Sequence, residues 1–261
     1  MRVLCLHGKG TSGAIFKSQT SALRARLSDL DIDFEFVDGF YESDPAPGID
    51  LFYPPPFYSF WEEDTIEAVL RSRDWLQNYL DTNGPYDALM MFSQGCAVGS
   101  TFSLLHRFEE PSRPLPFKTA IFICAGVPLK VMEKVGYKIA PEVWHKDIVT
   151  RRALAAQADA SAILAQGSAR WQGEGAFTAS VEDVRKEITP SEAQINIPTV
   201  HVYGEKDPRW SAGIQLSQAC DPAKRKLYDH GGGHEIPRTR EVTNNLEELV
   251  RWALREGGAM R

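Results

Sequence analysis

The sequence is short of several things, and each shortage removes a class of protein. It has four cysteines in 261 residues, Cys5, Cys96, Cys124 and Cys220, and none falls in a CxxC spacing. A disulfide framework and a cysteine-rich zinc site are therefore not expected, and neither is any other metal site. Cys5, Cys96 and Cys124 lie in or beside apolar runs, where a thiol serves as a small hydrophobe; a reducing, cytoplasmic setting fits them. No block of five basic residues occurs and the formal net charge is -6, so neither nucleic acid nor an anionic membrane surface is an expected partner. No run approaches the roughly 18 apolar residues of a membrane span. After Met1-Arg2 only four apolar residues precede His7, too few for the core of a secretion signal. Internal repeats and low-complexity tails are missing as well.

What is present is ordinary in composition and ordered in pattern. Apolar residues make up 43% and charged residues 25% of the chain, as in soluble globular proteins. Continuous apolar runs of strand length recur at 2–7, 34–38, 87–92, 119–125, 198–203 and 225–229. Helical stripes lie between them. Residues 14–29 carry Phe16, Leu23 and Leu27; residues 65–80 carry Ile66, Val69, Leu70, Leu76 and Leu80; residues 239–255 carry Val242, Leu246, Leu249, Val250 and Ala253. Unbroken apolar strands alternating with helices predict an α/β fold, a mostly parallel central sheet with helices on both faces. The length suits a single domain, 1–261.

Two stretches interrupt the rhythm. Residues 43–63 hold five of the sixteen prolines and the aromatics Phe52, Tyr53, Phe57, Tyr58, Phe60 and Trp61. Proline stiffens such a segment and aromatics give an apolar wall, so Phe52, Tyr53, Phe57, Tyr58 and Trp61 are candidates for a substrate pocket. Anchoring of the loop into the core is the plainer reading. Residues 127–196 form a long excursion between two strands, with Trp144, Trp171 and Phe177, and are expected to be a lid-like insertion.

The stretch LHGKGTSG, residues 6–13, follows the first strand and matches G-x-G-x-x-G, the dinucleotide fingerprint, with Asp38 after the second strand as a ribose-binding acid. That predicts an NAD(P)-dependent oxidoreductase. A glycine loop in this place also serves acyl hydrolases, where it lends a backbone N–H to an oxyanion hole. The second reading demands a nucleophile on a strand-to-helix turn, then an acid after a late strand, then a histidine near the end. Residues 87–95, DALMMFSQG, supply Ser93 on such a turn, although Met91 stands where the elbow's first glycine belongs and a serine there could simply cap the helix. Residues 197–208, IPTVHVYGEKDP, supply Asp207, with Glu205 as its rival; residues 228–237, YDHGGGHEIP, supply His234, with His230 as its rival. Each motif is moderate alone. The order Ser, Asp, His is far more specific, and it favours the oxyanion reading of the loop.

Together LCLHGKGTSG, PYDALMMFSQG, IFICAG, VYGEKDP and GGGHEIP resemble the fungal serine hydrolase family, the α/β-hydrolase branch that includes the ovarian-tumour gene 2 type hydrolases. The resemblance runs from Val3 to about Leu254. It implies an α/β-hydrolase fold and an esterase or acyl-thioesterase without a cofactor. It also implies nucleophile Ser93, acid Asp207 and base His234, with oxyanion amides on Lys9 and Gln94. Several fungal members release a finished chain from a polyketide synthase. The implied partner is thus a hydrophobic or polyketide-like acyl ester or thioester, borne on a carrier domain in secondary metabolism. A general carboxylesterase of small esters, and a catalytically dead binding module favoured by Met91, are the alternatives.

Overall fold

The computed structural model describes residues 1–157, 160–167, 171 and 180–260. The strands are β1 (Arg2–Leu6), β2 (Asp33–Val37), β3 (Tyr41–Glu42), β4 (Tyr58–Ser59), β5 (Ala88–Phe92), β6 (Thr119–Ile123), β7 (Lys138–Ile139), β8 (Ile188–Thr189), β9 (Thr199–Tyr203) and β10 (Arg225–Asp229). The helices are α1 (Gly13–Gln19), α2 (Ser21–Arg26), α3 (Ile66–Asn83), α4 (Gln94–Glu109), α5 (Leu129–Lys134), α6 (Pro141–Gln157), α7 (Ala160–Gln166), α8 (Val181–Lys186), α9 (Trp210–Gln218) and α10 (Arg240–Glu256). Six strands form one parallel sheet in the order β10-β9-β6-β5-β1-β2.

The unbroken apolar strands follow from this layering. Leu4, Leu6, Leu89, Met91 and Phe122 face one core with Val69 and Leu76 of α3 and Val98 and Phe102 of α4. Val3, Cys5, Met90, Ile121, Ile123, Val200 and Val202 face another, with Phe16 of α1, Leu23 of α2 and Leu246 and Val250 of α10. Successive side chains point to opposite faces, and both faces are covered. From β1 the chain moves out to β2 and then returns past β1 to β5. That reversal makes the carboxyl ends of β1 and β5 the switch point, where open α/β sheets form their sites.

The expected helix 14–29 is two helices. Thr20 lies between them, and its hydroxyl donates to the Phe16 carbonyl at 2.8 Å, which bends the chain there. The expected strand 119–125 stops at Ile123 because Cys124 takes φ +50°, a conformation that cannot continue a ladder. Short antiparallel pairs accompany both interrupting stretches: β4 of the first pairs with β3 just before it, and β7 pairs with β8 within the second. Within 127–196, Val131, Met132, Tyr137 and Val143 are buried in the main core, and Val184 packs with Trp210 and Ile214 of α9. Phe177 lies outside the described residues. No helix of the described residues is long and apolar enough to cross a membrane.

Candidate active site

Ser93 occupies the turn from β5 into α4 at φ +50°, ψ -111°. A non-glycine residue held there costs on the order of 1–3 kcal/mol, and the neighbours supply the restraint. The Ser93 N–H donates to the Ile123 carbonyl at 3.0 Å, and the Gly95 N–H donates to the His7 carbonyl at 3.0 Å. A Cβ on Gly95 would collide with the Leu6 carbonyl, so only glycine lets α4 start this close to β1. The missing elbow glycine is compensated further along: the Met91 sulfur fills the space that a Cβ on Gly99 would occupy, and Met91 is fully buried. The Ser93 side chain does not cap α4. Its Oγ lies 2.9 Å from His234 Nε2.

His234 Nδ1 lies 2.7 Å from Asp207 Oδ2. Asp207 is 1% exposed, and its other oxygen accepts the Arg209 N–H at 2.8 Å. A carboxylate facing Nδ1 assigns the proton to that nitrogen and leaves Nε2 to accept from the serine. The His234 ring also packs on Phe92, with centroids 5.3 Å apart. The two rivals lie elsewhere. His230 Nδ1 accepts the N–H of Gly232 at 3.1 Å, and burial pushes its imidazole below the ordinary value. Glu205 is exposed.

Above the serine sits the glycine loop. An added Cβ on Gly8 would stand 3.0 Å from the Phe92 ring and 3.3 Å from Ser93 Cβ, so the loop and the elbow touch. The Gly10 N–H donates to the Tyr58 carbonyl at 3.0 Å and to Ser59 Oγ at 3.1 Å, and the Gly13 N–H donates to Asp38 Oδ1 at 2.7 Å. Amides that would cradle a pyrophosphate are thus spent inside the protein, and Asp38, the ribose candidate, holds the start of α1. Among the described residues, the backbone N–H groups of Lys9 and Gln94 donate to no protein acceptor.

The aromatic segment is tied to the same rim. The Gln94 side chain accepts from the Phe60 N–H at 2.9 Å and donates to the Trp61 carbonyl at 3.0 Å. Phe57, Phe60 and Trp61 are buried, Trp61 within the main core. Tyr58 pairs with Thr11. The Tyr53 hydroxyl lies 3.3 Å from both Ser18 Oγ and an Arg238 nitrogen, and Phe52 is 67% exposed. From the excursion, Trp171 packs its indole on Gly233, next to His234, and Trp144 packs against the main core.

Four contributors to the site have no role assigned by the sequence alone. Arg209 is buried and pairs with Asp147 Oδ1 of α6 at 2.6 Å, tying the acid loop to the excursion. His7 and Thr11 brace the glycine loop. Cys124 places its thiol 3.5 Å from the Glu235 carbonyl, so that one donor atom each from Cys124, Asp207 and His234 lie within 4.8 Å of one another. Metal ligation would need a thiolate, whereas burial pushes this thiol well up, and His234 and Asp207 already spend their facing atoms on each other.

Comparison with known proteins identifies the family. Residues 1–246 match the family model described as serine hydrolase (FSH1). Esterase FPY3 of Fusarium mangiferae is 33% identical over 253 residues, covering 96% of this chain and 94% of that protein. The probable esterase tazC of Aspergillus terreus is 30% identical over 284 residues, covering 98% and 93%. Among solved structures, the mouse alpha/beta hydrolase domain-containing protein 10 aligns over 97% of this chain and 89% of its own with a TM-score of 0.50 at 12% identity, a likeness of fold alone. The chain belongs to the serine hydrolase (FSH1) family, and it is a serine ester hydrolase with the α/β-hydrolase fold.

Proposed function

We propose that Ser93, His234 and Asp207 form a catalytic triad that hydrolyses acyl esters, thioesters included, through an acyl-enzyme. The observation that carries this reading is the unbroken contact Ser93 Oγ–His234 Nε2–Asp207 at 2.9 and 2.7 Å, beside two unspent backbone amides. His234 takes the proton as Ser93 Oγ attacks the acyl carbonyl. Asp207 keeps the imidazole in the right tautomer and stabilises its charged form. The Lys9 and Gln94 amides receive the negative oxygen; losing one such donor costs about 2.7–4 kcal/mol of barrier. His234 then returns the proton to the leaving group, activates water, and the ester bond to Ser93 is cleaved.

A thiolate leaves readily because an ordinary thiol has a pKa of about 8.5, whereas an alkoxide must be protonated as it departs. The triad serves both. The substrate side of the reading is a hydrophobic, polyketide-like acyl group, presented by a carrier. It rests on the family resemblance of the motifs and on the aromatic segment of Phe52, Tyr53, Phe57, Tyr58 and Trp61, whose backbone at Phe60 and Trp61 is held by the Gln94 side chain, with Trp171 against Gly233 on the other side. The test is a fluorophosphonate adduct mapped by mass spectrometry, with Ser93→Ala as control. An oxyester and an acyl-cysteamine thioester are compared alongside. Label on Ser93 with turnover of the thioester is expected. Label on another serine would overturn the triad; turnover of the oxyester alone would overturn the thioesterase reading.

A further inference from the structure

A backbone amide works as an oxyanion donor only if its direction is held before the charge appears. For Lys9 that direction is a property of the Gly8–Lys9 peptide unit. The unit is trans and planar, so its carbonyl and its N–H point in opposite directions and turn together. Holding the Gly8 oxygen therefore aims the Lys9 N–H.

Two buried side chains hold that oxygen. His7 Nδ1 lies 2.6 Å from it and Thr11 Oγ1 donates to it at 2.7 Å. His7 is 0% exposed and Thr11 4%. The tautomer of His7 is forced. Its Nε2 accepts the Gly39 N–H at 2.8 Å and must be bare, so the proton is on Nδ1, facing the Gly8 oxygen at 2.6 Å and, farther off, Thr11 Oγ1 at 3.1 Å. A charged ring would set two N–H groups against each other, and burial independently pushes the imidazole below its ordinary value. The ring is also packed on Phe60 at 5.0 Å, and the His7 carbonyl is occupied by the Gly95 N–H. A buried carbonyl needs one donor to be satisfied. Two donors from different directions define where it points. At the other end of the same peptide, the Lys9 N–H has no protein acceptor among the described residues, and Gly8 lies against Ser93.

We propose that His7 and Thr11 are positioning residues of the oxyanion hole: by clamping the Gly8 carbonyl they turn the Lys9 N–H toward the oxygen that develops above Ser93. This rests on the triad reading above. It assigns the loop's histidine and threonine to transition-state stabilisation, whereas substrate affinity lies with other groups.

Thr11→Val and Thr11→Ser separate the clamp from the fold, since valine keeps the branched shape that fills the site and serine keeps the hydroxyl. The readouts are kcat and KM on a simple ester, the affinity of a trifluoromethyl ketone that mimics the tetrahedral oxyanion, and the thermal midpoint. Thr11→Val is expected to lower kcat about ten-fold, a fraction of the 10²–10³ lost with a whole donor. KM should stay within two-fold, and the ketone affinity should fall in step with kcat. Thr11→Ser should recover both. His7→Asn, whose amide nitrogen can replace Nδ1 as donor, should retain more kcat than His7→Leu when both are corrected for active sites titrated with fluorophosphonate. Unchanged kcat and ketone affinity in Thr11→Val would overturn the clamp, as would losses in the Thr11 and His7 variants that merely track the melting temperature. Absence of a Ser93 adduct in the unaltered protein would instead remove the triad reading, so the two failures are distinct.

Discussion

The two halves of the site are built from different materials. The nucleophile half, at the ends of β1 and β5, is held by backbone: Ser93 N–H to Ile123, Gly95 N–H to His7, Gly10 N–H to Tyr58, with Gly95 where a Cβ would meet the Leu6 carbonyl and Gly8 and Gly99 packed close on Phe92 and Met91. The acid and base half, beyond β9 and β10, is held by charge. Asp207 is bound to the backbone of Arg209, whose buried guanidinium pairs with Asp147; Asp147 in turn pairs with Arg151, and Arg151 with Asp64 at 2.8 Å near the aromatic segment. One half depends on shape and the other on ionisation. The elbow must keep a serine in a costly conformation, which close packing achieves. The imidazole must change charge during turnover, which calls for a fixed carboxylate and a framework that keeps it oriented.

That contrast can be broken from either side. The largest expected effect comes from Asp207→Asn. The geometry stays, the tautomer of His234 is no longer enforced, and kcat should fall by about 10⁴ with little change in melting temperature. Steady-state kinetics beside a thermal melt checks this. Arg209→Met is next. It leaves the half-buried Asp147 with Arg151 as its remaining partner, so unfolding by urea should show a loss of about 3 kcal/mol, the upper end for a hydrogen bond to a charged group. On the shape side, Gly95→Ala forces a methyl into the Leu6 carbonyl and should cost about 3 kcal/mol, the upper end for overpacking, with no dependence on pH or salt.

A smaller effect, graded with pH, sharpens the comparison. His201 in β9 stacks on Phe122 at 5.1 Å, and burial, with the nearby Arg225 charge, lowers its imidazole to about 3. The unfolded chain binds a proton that the folded one refuses. Stability from this group is therefore complete above about pH 6.5 and is lost as pH falls toward 3, at up to about 1.4 kcal/mol per unit. His201→Phe should flatten that limb in denaturation curves at pH 4 and 5. An unchanged slope would place the acid sensitivity elsewhere. Asp147 adds a second acid-sensitive group. Burial works to raise its carboxyl, but Arg209 and Arg151 outweigh it and hold it below the usual range. Its contribution is present above about pH 3.9 and lost only as pH falls through that lower value.

Much of this architecture was legible beforehand. The strand positions were readable because both sheet faces are covered, which leaves unmistakable runs such as Ala88–Phe92 and Thr119–Ile123. The starts of α3 and α10 were readable because their apolar stripes begin at 65 and 239, where Thr65 and Thr239 turn out to cap the first turns. Less legible was the break at Thr20, since a threonine on a helical stripe bends the chain only if its hydroxyl finds the carbonyl one turn back. The aromatic segment also carried two meanings: Trp61 went into the core while Phe52 stayed in solvent, and nothing in their spacing separates them. In the site, Ser93, Asp207 and His234 could be named from motif order, but Arg209, His7 and Thr11 could not, because each acts on a neighbour chosen by the fold.

By itself, the amino-acid sequence determined the alternation of strand and helix, the turns that carry Ser93, Asp207 and His234, and the absence of any cluster fit for nucleic acid or a membrane span. These are local properties of periodicity, charge and turn chemistry. Tertiary structure alone decided that Met91 is tolerated because Gly99 makes room for its sulfur, that residues 141 positions apart meet at 2.9 Å, and that the amides of Lys9 and Gln94 stay unspent while those of Gly10 and Gly13 do not. Each of these depends on which distant atom arrives first at a donor, an acceptor or an empty volume, and that is settled only when the sheet lines up β1, β5, β6 and β9 in that order.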